Sequence, residues 1–427
     1  MNGDGVMRIN SLELKNYKGF SHVELDVAGK SVVLFGVNGA GKSSILNGTT
    51  AILSCIINYV SKYFFKQTVT IAQEDIRVGC QRAALLAKFQ LEDAVVPYGF
   101  TYGRDANKEN ISEDLLHKFA RYCEFPHWDN TAPDVTLPIF ASYSVNRSVS
   151  DVPLSPSEKH EFIRLEAYRN AVEPSIDFKA FFEWFRNQSD FENQERVNRQ
   201  DLSYADPAMA AVRTAISNMI PDLTGLKVER SPLRMTIVKH GQTLSIEQLS
   251  DGEKCVLALM GDLVRRLAIA NPWLKNPLLG TGIVLIDEIE LHLHPLWQRK
   301  IVAVLHQTFP NIQFIISTHS PQVLGELPEG FLVYRVRQEQ ENPMDAHSVV
   351  EPMTFGAFDT NLVLEDYMQT PSVNWKVSEL ESEILNLIDQ KSFDIAKEKL
   401  CDLERLTLGT SPMLTQARIL IRRGEQK

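Results

Sequence analysis

The sequence predicts an α/β fold in which helices flank a mixed sheet and a separate helical region ends the chain. Three short, continuous apolar runs carry this prediction, because strands buried on both faces of a parallel sheet have this pattern. They span residues 32–35, 282–286 and 312–317, and each leads into a short polar motif. Before the first run, an alternating apolar pattern at residues 9–14 and 23–27 predicts an antiparallel hairpin.

The composition is that of a globular protein with more than one lobe, at 427 residues with 44% hydrophobic and 23% charged side chains. A net charge of −10 gives no argument for nucleic-acid binding through overall charge.

Five separate cysteines form no Cys-x-x-Cys pair, which argues against disulfides or zinc and predicts a cytoplasmic location. No signal peptide or membrane span is predicted, since Ser54 and Asn58 interrupt the longest apolar stretch, residues 51–60.

The first apolar run leads into Gly-Val-Asn-Gly-Ala-Gly-Lys-Ser at residues 36–43, which matches the P-loop pattern. Glycines let the backbone approach an anion, so that its N–H groups and the next helix N-terminus point at phosphate oxygens. We expect Lys42 to reach the β- and γ-phosphates and the Ser43 hydroxyl to ligate Mg²⁺. The predicted nucleotide-binding residues of this loop are Gly36, Asn38, Gly39, Gly41, Lys42, Ser43 and Ser44. The alternative is a glycine-rich turn that matches by chance.

A second anion-binding element is predicted at Gln-Leu-Ser-Asp-Gly-Glu-Lys, residues 248–254. Ser250 and Gly252 would present a hydroxyl and backbone N–H groups at the positive end of a helix. We expect Ser250, Gly252 and Glu253 to contact the nucleotide. An ordinary N-cap formed by Ser250 is the alternative, and both can hold together.

Two carboxylates, Asp287 and Glu288, end the second apolar run. The carboxyl end of a parallel strand borders the ligand crevice of such sheets. We expect Asp287 to hold the Mg²⁺ shell and Glu288 to orient or deprotonate the attacking water. His292 and His294 also raise the alternative of a metal site, which is disfavoured because no carboxylate or thiolate set completes it.

The order of these motifs resembles the ABC-type ATPase heads of SMC-like, RecF-like and overcoming-lysogenization-defect (OLD) proteins. The resemblance covers roughly residues 7–95 and 230–350 and rests on these motifs, Leu-Lys-Asn-Tyr-Lys-Gly-Phe at 14–20 and Glu-Leu-His-Leu-His-Pro at 290–295. It implies ATP and Mg²⁺ as ligands, ATP hydrolysis as the activity, and a contact of His319 with the γ-phosphate. A purely structural His319 is the alternative. Gln73 and Gln81 are weak candidates for a glutamine that senses Mg²⁺ and the γ-phosphate.

Residues 248–254 resemble the signature motif of this class. The resemblance also implies self-association, because in this class the signature of one subunit covers the P-loop of another. Each site would then be complete only in a homodimer or larger assembly. Ser43 and Ser250 lie 207 positions apart, longer than expected of a transporter nucleotide-binding domain, and no membrane segment is predicted. Both observations argue against transport.

The chain is predicted to divide into four parts. Residues 1–95 form the first half of the ATPase head, 96–229 a largely helical insertion lobe, 230–350 the second half of the head, and 351–427 a helical, partner-docking tail. Phe178, Phe182 and Phe185 recur at helical spacing in the insertion and are interpreted as core. The insertion has no heptads or zinc-hook Cys-x-x-Cys. In the tail, three apolar helical faces would cover a partner or complete the core of the head.

The overall architecture resembles the PtuA-type ATPases of Septu and retron antiphage systems, which work with a separate HNH nuclease. This resemblance implies an ATP-hydrolysing regulatory subunit that gates such a nuclease, with DNA or a retron reverse transcriptase and its DNA as further partners. The sequence itself predicts no nuclease site, because its acidic pair is assigned to ATP. Two alternatives stay open, namely a RecF- or SMC-like DNA-repair or chromosome-maintenance ATPase, and an ATP-binding scaffold with little hydrolysis.

Overall fold

The computed structural model describes residues 7–62, 64–67, 71–123, 136–145, 163–173, 175–340, 346–353, 375–407 and 411–425. The chain forms two compact units, Met1–Ala357 and Phe358–Lys427. The predicted nucleotide-binding motifs all lie in the first unit.

The strands of the described residues, in chain order, are β1 (Met7–Tyr17), β2 (Phe20–Asp26), β3 (Val32–Phe35), β4 (Arg82–Leu91), β5 (Ala94–Gly103), β6 (Lys108–Ser112), β7 (Ile139–Tyr143), β8 (Leu223–Arg230), β9 (Leu233–Lys239), β10 (Gln242–Ser245), β11 (Gly282–Ile286), β12 (Ile312–Thr318), β13 (Leu332–Gln340) and β14 (Ala346–Met353). The helices are α1 (Lys42–Ser61), α2 (Asp114–Cys123), α3 (Phe178–Asn198), α4 (Pro207–Met219), α5 (Asp251–Ala270), α6 (Pro295–Thr308), α7 (Pro321–Gly325), α8 (Trp375–Asp389), α9 (Phe393–Leu406) and α10 (Pro412–Glu425).

The sheet at the centre of the first unit has the strand order β14-β13-β3-β12-β11-β7. Its strands are parallel except for β14, which pairs antiparallel with β13 at one edge. Every residue of β3, β11 and β12 is buried, as the three apolar runs predict. The carboxyl ends of these three adjacent strands therefore bring the P-loop, the acidic pair and His319 to one edge of the sheet.

A second, antiparallel sheet has the order β2-β1-β4-β5-β6. Its first two strands form the predicted hairpin, with Leu12 opposite Leu25 and Leu14 opposite Val23. The buried side chain of Gln313, on β12, accepts a hydrogen bond from Ile9 N at 2.7 Å and donates one to Ile9 O at 2.9 Å. These bonds join the antiparallel sheet to the central sheet.

Helix α1 follows the P-loop and packs against strands of both sheets. In the described part of the chain, it is the one helix long and apolar enough to cross a membrane, and 61% of its most apolar stretch is buried within the protein. Its apolar residues therefore belong to the core of the first unit.

The described part of residues 96–229 contains strands as well as the helices that the sequence predicts. Strand β5 begins at Ala94 and pairs with β4 along its length, so the predicted boundary at residue 95 falls inside a strand. Strand β7 pairs in parallel with β11 and completes the central sheet. Because its apolar run is typical of a buried strand, β7 belongs to the core of the head. Helices α3 and α4 pack on α5, and Phe178, Phe182 and Phe185 are buried, as expected of core residues.

The second unit consists of α8, α9 and α10 in its described part, where the sequence predicts amphipathic helices. Their apolar faces pack on one another around a common core. Its buried members are Val377, Ile384, Ala396, Leu400, Leu403, Leu414, Ala417 and Ile421. The three predicted apolar faces therefore form the core of this unit.

Candidate active site

The loop between β3 and α1 has a backbone that requires glycine at two positions. Gly36 has φ 152°, and a Cβ there would lie 2.1 Å from the carbonyl oxygen of Val336 on β13. Gly41 has φ 112°, and a Cβ there would lie 2.9 Å from the Phe20 ring and 3.0 Å from Ser348 Oγ. Neighbouring strands therefore fix the path of the P-loop, and only glycine fits it.

The strand pair β13–β14 also holds the P-loop and the turn between β1 and β2 by hydrogen bonds. Gln338 Nε2 donates to the carbonyl oxygen of Gly39 at 3.0 Å. Ser348 N donates to the carbonyl oxygen of Gly19 at 3.2 Å, and a Cβ at Gly19 would lie 2.9 Å from Ser348 Oγ. This close packing explains Gly19 in the predicted Lys-Gly-Phe motif. Sequence reasoning missed Gln338 and Ser348, since neither belongs to a local motif.

Lys42 is a buried side chain at the start of α1. Its Nζ donates to the carbonyl oxygens of Gly36 at 2.8 Å and Val37 at 3.0 Å. Burial lowers the pKa of the ammonium group, whereas nearby carboxylates, Glu288 first among them, act in the opposite direction. The ammonium therefore lies inside the curve of the loop, within the electrostatic reach of the acidic pair.

The other predicted phosphate ligands surround Lys42. Asn38 and Gly39 are exposed at the tip of the loop, and nothing within 4 Å would meet a Cβ at Gly39. Ser43 and Ser44 lie in the first turn of α1, where Ser44 N donates to the carbonyl oxygen of Gly41 at 3.0 Å. An open loop tip before a helix N-terminus is the geometry that suits an anion.

Ser43 and Asp287 form the pair that suits Mg²⁺. Ser43 Oγ donates to Asp287 Oδ1 at 3.1 Å. A hydroxyl and a carboxylate oxygen are ligands of the kind that Mg²⁺ prefers, and at this separation both would be able to hold one ion. No group of three or more His, Cys, Asp or Glu side chains that could hold a metal occurs in the described residues. Mg²⁺ commonly binds in this way, through one or two protein oxygens together with substrate phosphates.

The acidic pair is fixed by the strands on both sides of β11. Asp287 N donates to the carbonyl oxygen of Tyr143 on β7 at 2.8 Å. On the other side, Ser317 Oγ donates to Asp287 Oδ1 and accepts from Glu288 N at 2.8 Å. Glu288 has φ 46°, a left-handed conformation that is uncommon outside glycine and clusters at functional sites. Ser317 is thus a supporting residue that no sequence motif indicated.

His319 lies directly after β12, where Glu290 meets it. His319 N donates to Glu290 Oε1 at 2.7 Å, and Thr318 Oγ1 donates to Glu290 Oε2 at 2.8 Å. His294 instead caps α6, with Nδ1 accepting from Leu296 N at 3.3 Å. This contact gives His294 a local role at the start of α6.

The signature segment forms a reciprocal cap at the start of α5. Ser250 Oγ accepts from Glu253 N at 3.4 Å, while the Glu253 carboxylate accepts from Ser250 N at 2.9 Å. Burial raises the pKa of Glu253, but the ion pair with Lys239 at 2.6 Å and the bonds from Ser250 outweigh it, and the pKa is lowered. A Cβ at Gly252 would lie 2.5 Å from the carbonyl oxygen of His292. The N-cap role of Ser250 is confirmed, whereas nucleotide contacts of Ser250, Gly252 and Glu253 stay predictions.

A buried ionic cluster joins α5 to β7. The fully buried Asp262 accepts hydrogen bonds from Arg265 at 2.7 Å, Arg266 at 2.7 Å and Tyr143 Oη at 2.8 Å. Since the carbonyl oxygen of Tyr143 also holds Asp287 N, the cluster connects the signature helix to the strand beside the acidic pair.

A cavity of about 390 Å³ opens beside Asp287 and is lined also by Lys18, Asn47 and Asp75. Gln73 lies in a one-turn helix, and Gln81 is exposed. Neither glutamine is among the described residues that line this cavity. The structure therefore assigns no sensing role to either one.

The fold and the site together define an ABC-type P-loop ATPase head. A family model described as "AAA domain, putative AbiEii toxin, Type IV TA system" matches residues 89–325, and a second AAA domain model matches residues 7–82. A solved SMC head domain with a coiled coil and joint, from Pyrococcus yayanosii, has a TM-score of 0.51 at 12% identity, covering 84% of this chain and 99% of that one. This likeness supports the fold.

Three relatives of this chain are retron or Septu proteins. "Retron Ec83 probable ATPase" of Escherichia coli is 32% identical, covering 75% of this chain and 70% of that protein. "Retron Vc95 probable ATPase" of Vibrio cholerae serotype O1 biovar El Tor is 31% identical, covering 74% and 71%. "Septu protein PtuA" of Bacillus mycoides (strain KBAB4) is 25% identical, covering 90% of this chain but 50% of that protein. The chain belongs to the family of AAA ATPases that includes the two retron ATPases. This membership confirms the predicted fold class and ATPase activity.

Proposed function

We propose that the protein is the ATP-hydrolysing regulatory subunit of an antiphage defence complex and gates a separate HNH-type nuclease in the cytoplasm. The main observation in support of ATP hydrolysis is the Ser43–Asp287 contact at 3.1 Å, next to Glu288 at the end of the same strand. The role in antiphage defence is proposed from the relatives named as retron and Septu proteins. DNA, or a retron reverse transcriptase with its DNA, is a further proposed partner.

The P-loop, the acidic pair and His319 each have a role in the proposed reaction. The P-loop N–H groups and the Lys42 ammonium bind the phosphates of ATP. Ser43 and Asp287 hold Mg²⁺, which supplies charge neutralisation on the transferred phosphate. Glu288 orients or deprotonates water, and His319 contacts the γ-phosphate. This assignment predicts that Glu288→Gln keeps ATP bound but slows hydrolysis on the order of 10²-fold or more.

Association of two chains would complete each site. Ser250 is exposed at the N-terminus of α5, where its hydroxyl and the helix end can face the phosphates bound by a second copy. The P-loop tip at Asn38 and Gly39 is exposed as well. We therefore propose a head-to-head pair that ATP stabilises and hydrolysis releases.

The second unit is the proposed docking site for the nuclease. It has its own core, and it leaves apolar side chains exposed, with Leu385 at 39%, Ile395 at 51%, Leu406 at 48% and Ile419 at 48%. The described part of the chain offers no group of three or more acidic, histidine or cysteine side chains for metal-dependent cleavage. A separate nuclease subunit fits this division of labour.

Deletion of residues 371–427 tests the docking proposal in the complex purified from its native operon. We expect retained ATPase activity and loss of the co-purifying nuclease. The substitution Ile395→Glu makes the same test without removing a core residue, and Leu202→Glu, 88% exposed in the first unit, is its matched control. An undisturbed complex after both the deletion and Ile395→Glu would contradict the proposal.

The alternative function, implied by the resemblance of the motifs to RecF- and SMC-like heads, is that of a DNA-repair or chromosome-maintenance ATPase. That function requires DNA-stimulated turnover without a nuclease partner. Measuring ATP hydrolysis with and without DNA, on the protein alone and on the operon complex, separates the two.

A further inference from the structure

Glu290 is a buried acidic side chain to which the proposed mechanism gives no role. It is 5% exposed, and its two oxygens meet two consecutive residues at the end of β12. Oε2 accepts from Thr318 Oγ1 at 2.8 Å, and Oε1 accepts from His319 N at 2.7 Å. Oε1 also lies 2.8 Å from His319 Nδ1. This distance is that of an ion pair, but the angle between the two groups is not that of a hydrogen bond.

These contacts fix which edge of the His319 ring faces inward. Nδ1 is buried against Glu290, whereas 39% of the side chain is exposed. Because the two ring nitrogens lie on opposite edges of imidazole, the edge left to meet a ligand is the one that carries Nε2. The His319 backbone is tied to the same carboxylate, so ring and backbone share one anchor.

We infer that Glu290 is a positioning residue, which acts through His319 by holding its ring with Nε2 toward the γ-phosphate. The inference rests on the proposed contact of His319 with the γ-phosphate. A carboxylate at one nitrogen commonly orients a histidine whose other nitrogen acts on a ligand. The competing explanation is structural, because the bond from Thr318 to the same carboxylate also ties β12 to the segment after the acidic pair.

A set of four variants tests the inference by steady-state ATP hydrolysis, with folding checked by thermal melting. They are Glu290→Gln, His319→Ala, the double variant Glu290→Gln/His319→Ala, and Thr318→Val. We expect Glu290→Gln to lower kcat on the order of 10-fold or more, the usual scale for loss of an orienting partner, with little change in KM. In the His319→Ala background, Glu290→Gln should cost nothing further, because a residue that acts through another is not additive with it.

Thr318→Val is the matched control, since it removes the other bond to Glu290 and leaves the His319 contacts in place. It also removes the acceptor for Ser320 N at 3.0 Å, so its melting temperature is compared together with its kcat. We expect its kcat to stay near that of the wild type. If Glu290→Gln does not fold, Glu290→Asp replaces it in the same double-variant comparison, because a shortened carboxylate also withdraws from Nδ1.

The outcomes separate the inference from the function on which it rests. Wild-type turnover in His319→Ala would remove the proposed role of His319, and the inference with it. Reduced turnover in His319→Ala, together with additive or absent effects of Glu290→Gln, would overturn the inference alone. A loss in Thr318→Val equal to that in Glu290→Gln would also overturn it in favour of the structural explanation.

Discussion

The substitution Asp262→Asn is expected to destabilise the first unit by about 3–5 kcal/mol, the range for breaking a buried ion pair from one side. The side chain is fully buried, and Arg265 and Arg266, which hydrogen-bond to it, are 4% and 2% exposed. An asparagine keeps the shape of the aspartate but removes its charge. Two buried guanidinium groups then share a cluster without a negative partner, and that is the physical origin of the cost.

The pKa of Asp262 gives a second estimate of this stabilisation. Burial raises the pKa, but the charges of Arg266 and Arg265 outweigh burial and lower it from 3.8 to about 2. A shift of this size corresponds to roughly 2–3 kcal/mol of folding free energy. Because the folded-state pKa is depressed, this stabilisation is present above about pH 4 and is lost as the pH falls toward 2.

Urea unfolding followed by circular dichroism, at pH 7 and at steps down to pH 3, measures both effects. We expect Asp262→Asn to lower the midpoint at an unchanged slope and to reduce the acid dependence of the unfolding free energy. Glu109→Gln, which removes an exposed ion pair with Arg82, is the control and should leave the midpoint unchanged. A loss below about 1 kcal/mol in Asp262→Asn, the range of exposed pairs, would show that the buried cluster contributes no more than a surface ion pair.

Three further predictions concern the nucleotide site. Lys42→Ala should abolish ATP binding in calorimetry, because the loop loses its ammonium group, and unchanged affinity would remove Lys42 from the site. Ser317→Ala should lower kcat on the order of 10-fold at similar ATP affinity, since the serine holds both Asp287 and Glu288 N; wild-type turnover would show that other contacts suffice. Gly36→Ala should weaken ATP binding and lower the melting temperature, because its Cβ would lie 2.1 Å from a β13 carbonyl oxygen, and a wild-type melting curve would contradict this packing argument.

The main parts of the ATPase head could be predicted from sequence because their signals are local. The runs at 32–35, 282–286 and 312–317 are each buried strands, and the adjacent motifs meet at their carboxyl ends. Such runs specify a strand through their own composition, and the order of the motifs specifies the fold. The N-cap role of Ser250 was predictable for the same reason, since a capping box is a four-residue pattern.

The supporting residues could not be predicted, because they depend on contacts between distant parts of the chain. Ser348 packs on Gly41, and Gln338 donates a hydrogen bond to Gly39. These residues are so far apart in the sequence that no short motif contains both partners. The place of β7 in the central sheet likewise depends on its pairing with β11, and sequence reasoning assigned its neighbourhood to a helical lobe. A polar side chain such as Ser317 acquires its role only when strands align.

In the proposed assembly, two heads pair around ATP through the P-loop of one chain and Ser250 of the other. The most direct test is the molar mass of Glu288→Gln by light scattering, with and without ATP and Mg²⁺, beside the double variant Glu288→Gln/Ser250→Arg. Slow hydrolysis in Glu288→Gln should trap the ATP-bound pair, so its mass should double on addition of ATP. The double variant should bind ATP and keep its starting mass, because the arginine displaces the end of α5. An unchanged mass for ATP-bound Glu288→Gln, or a doubling that survives Ser250→Arg, would contradict the claim.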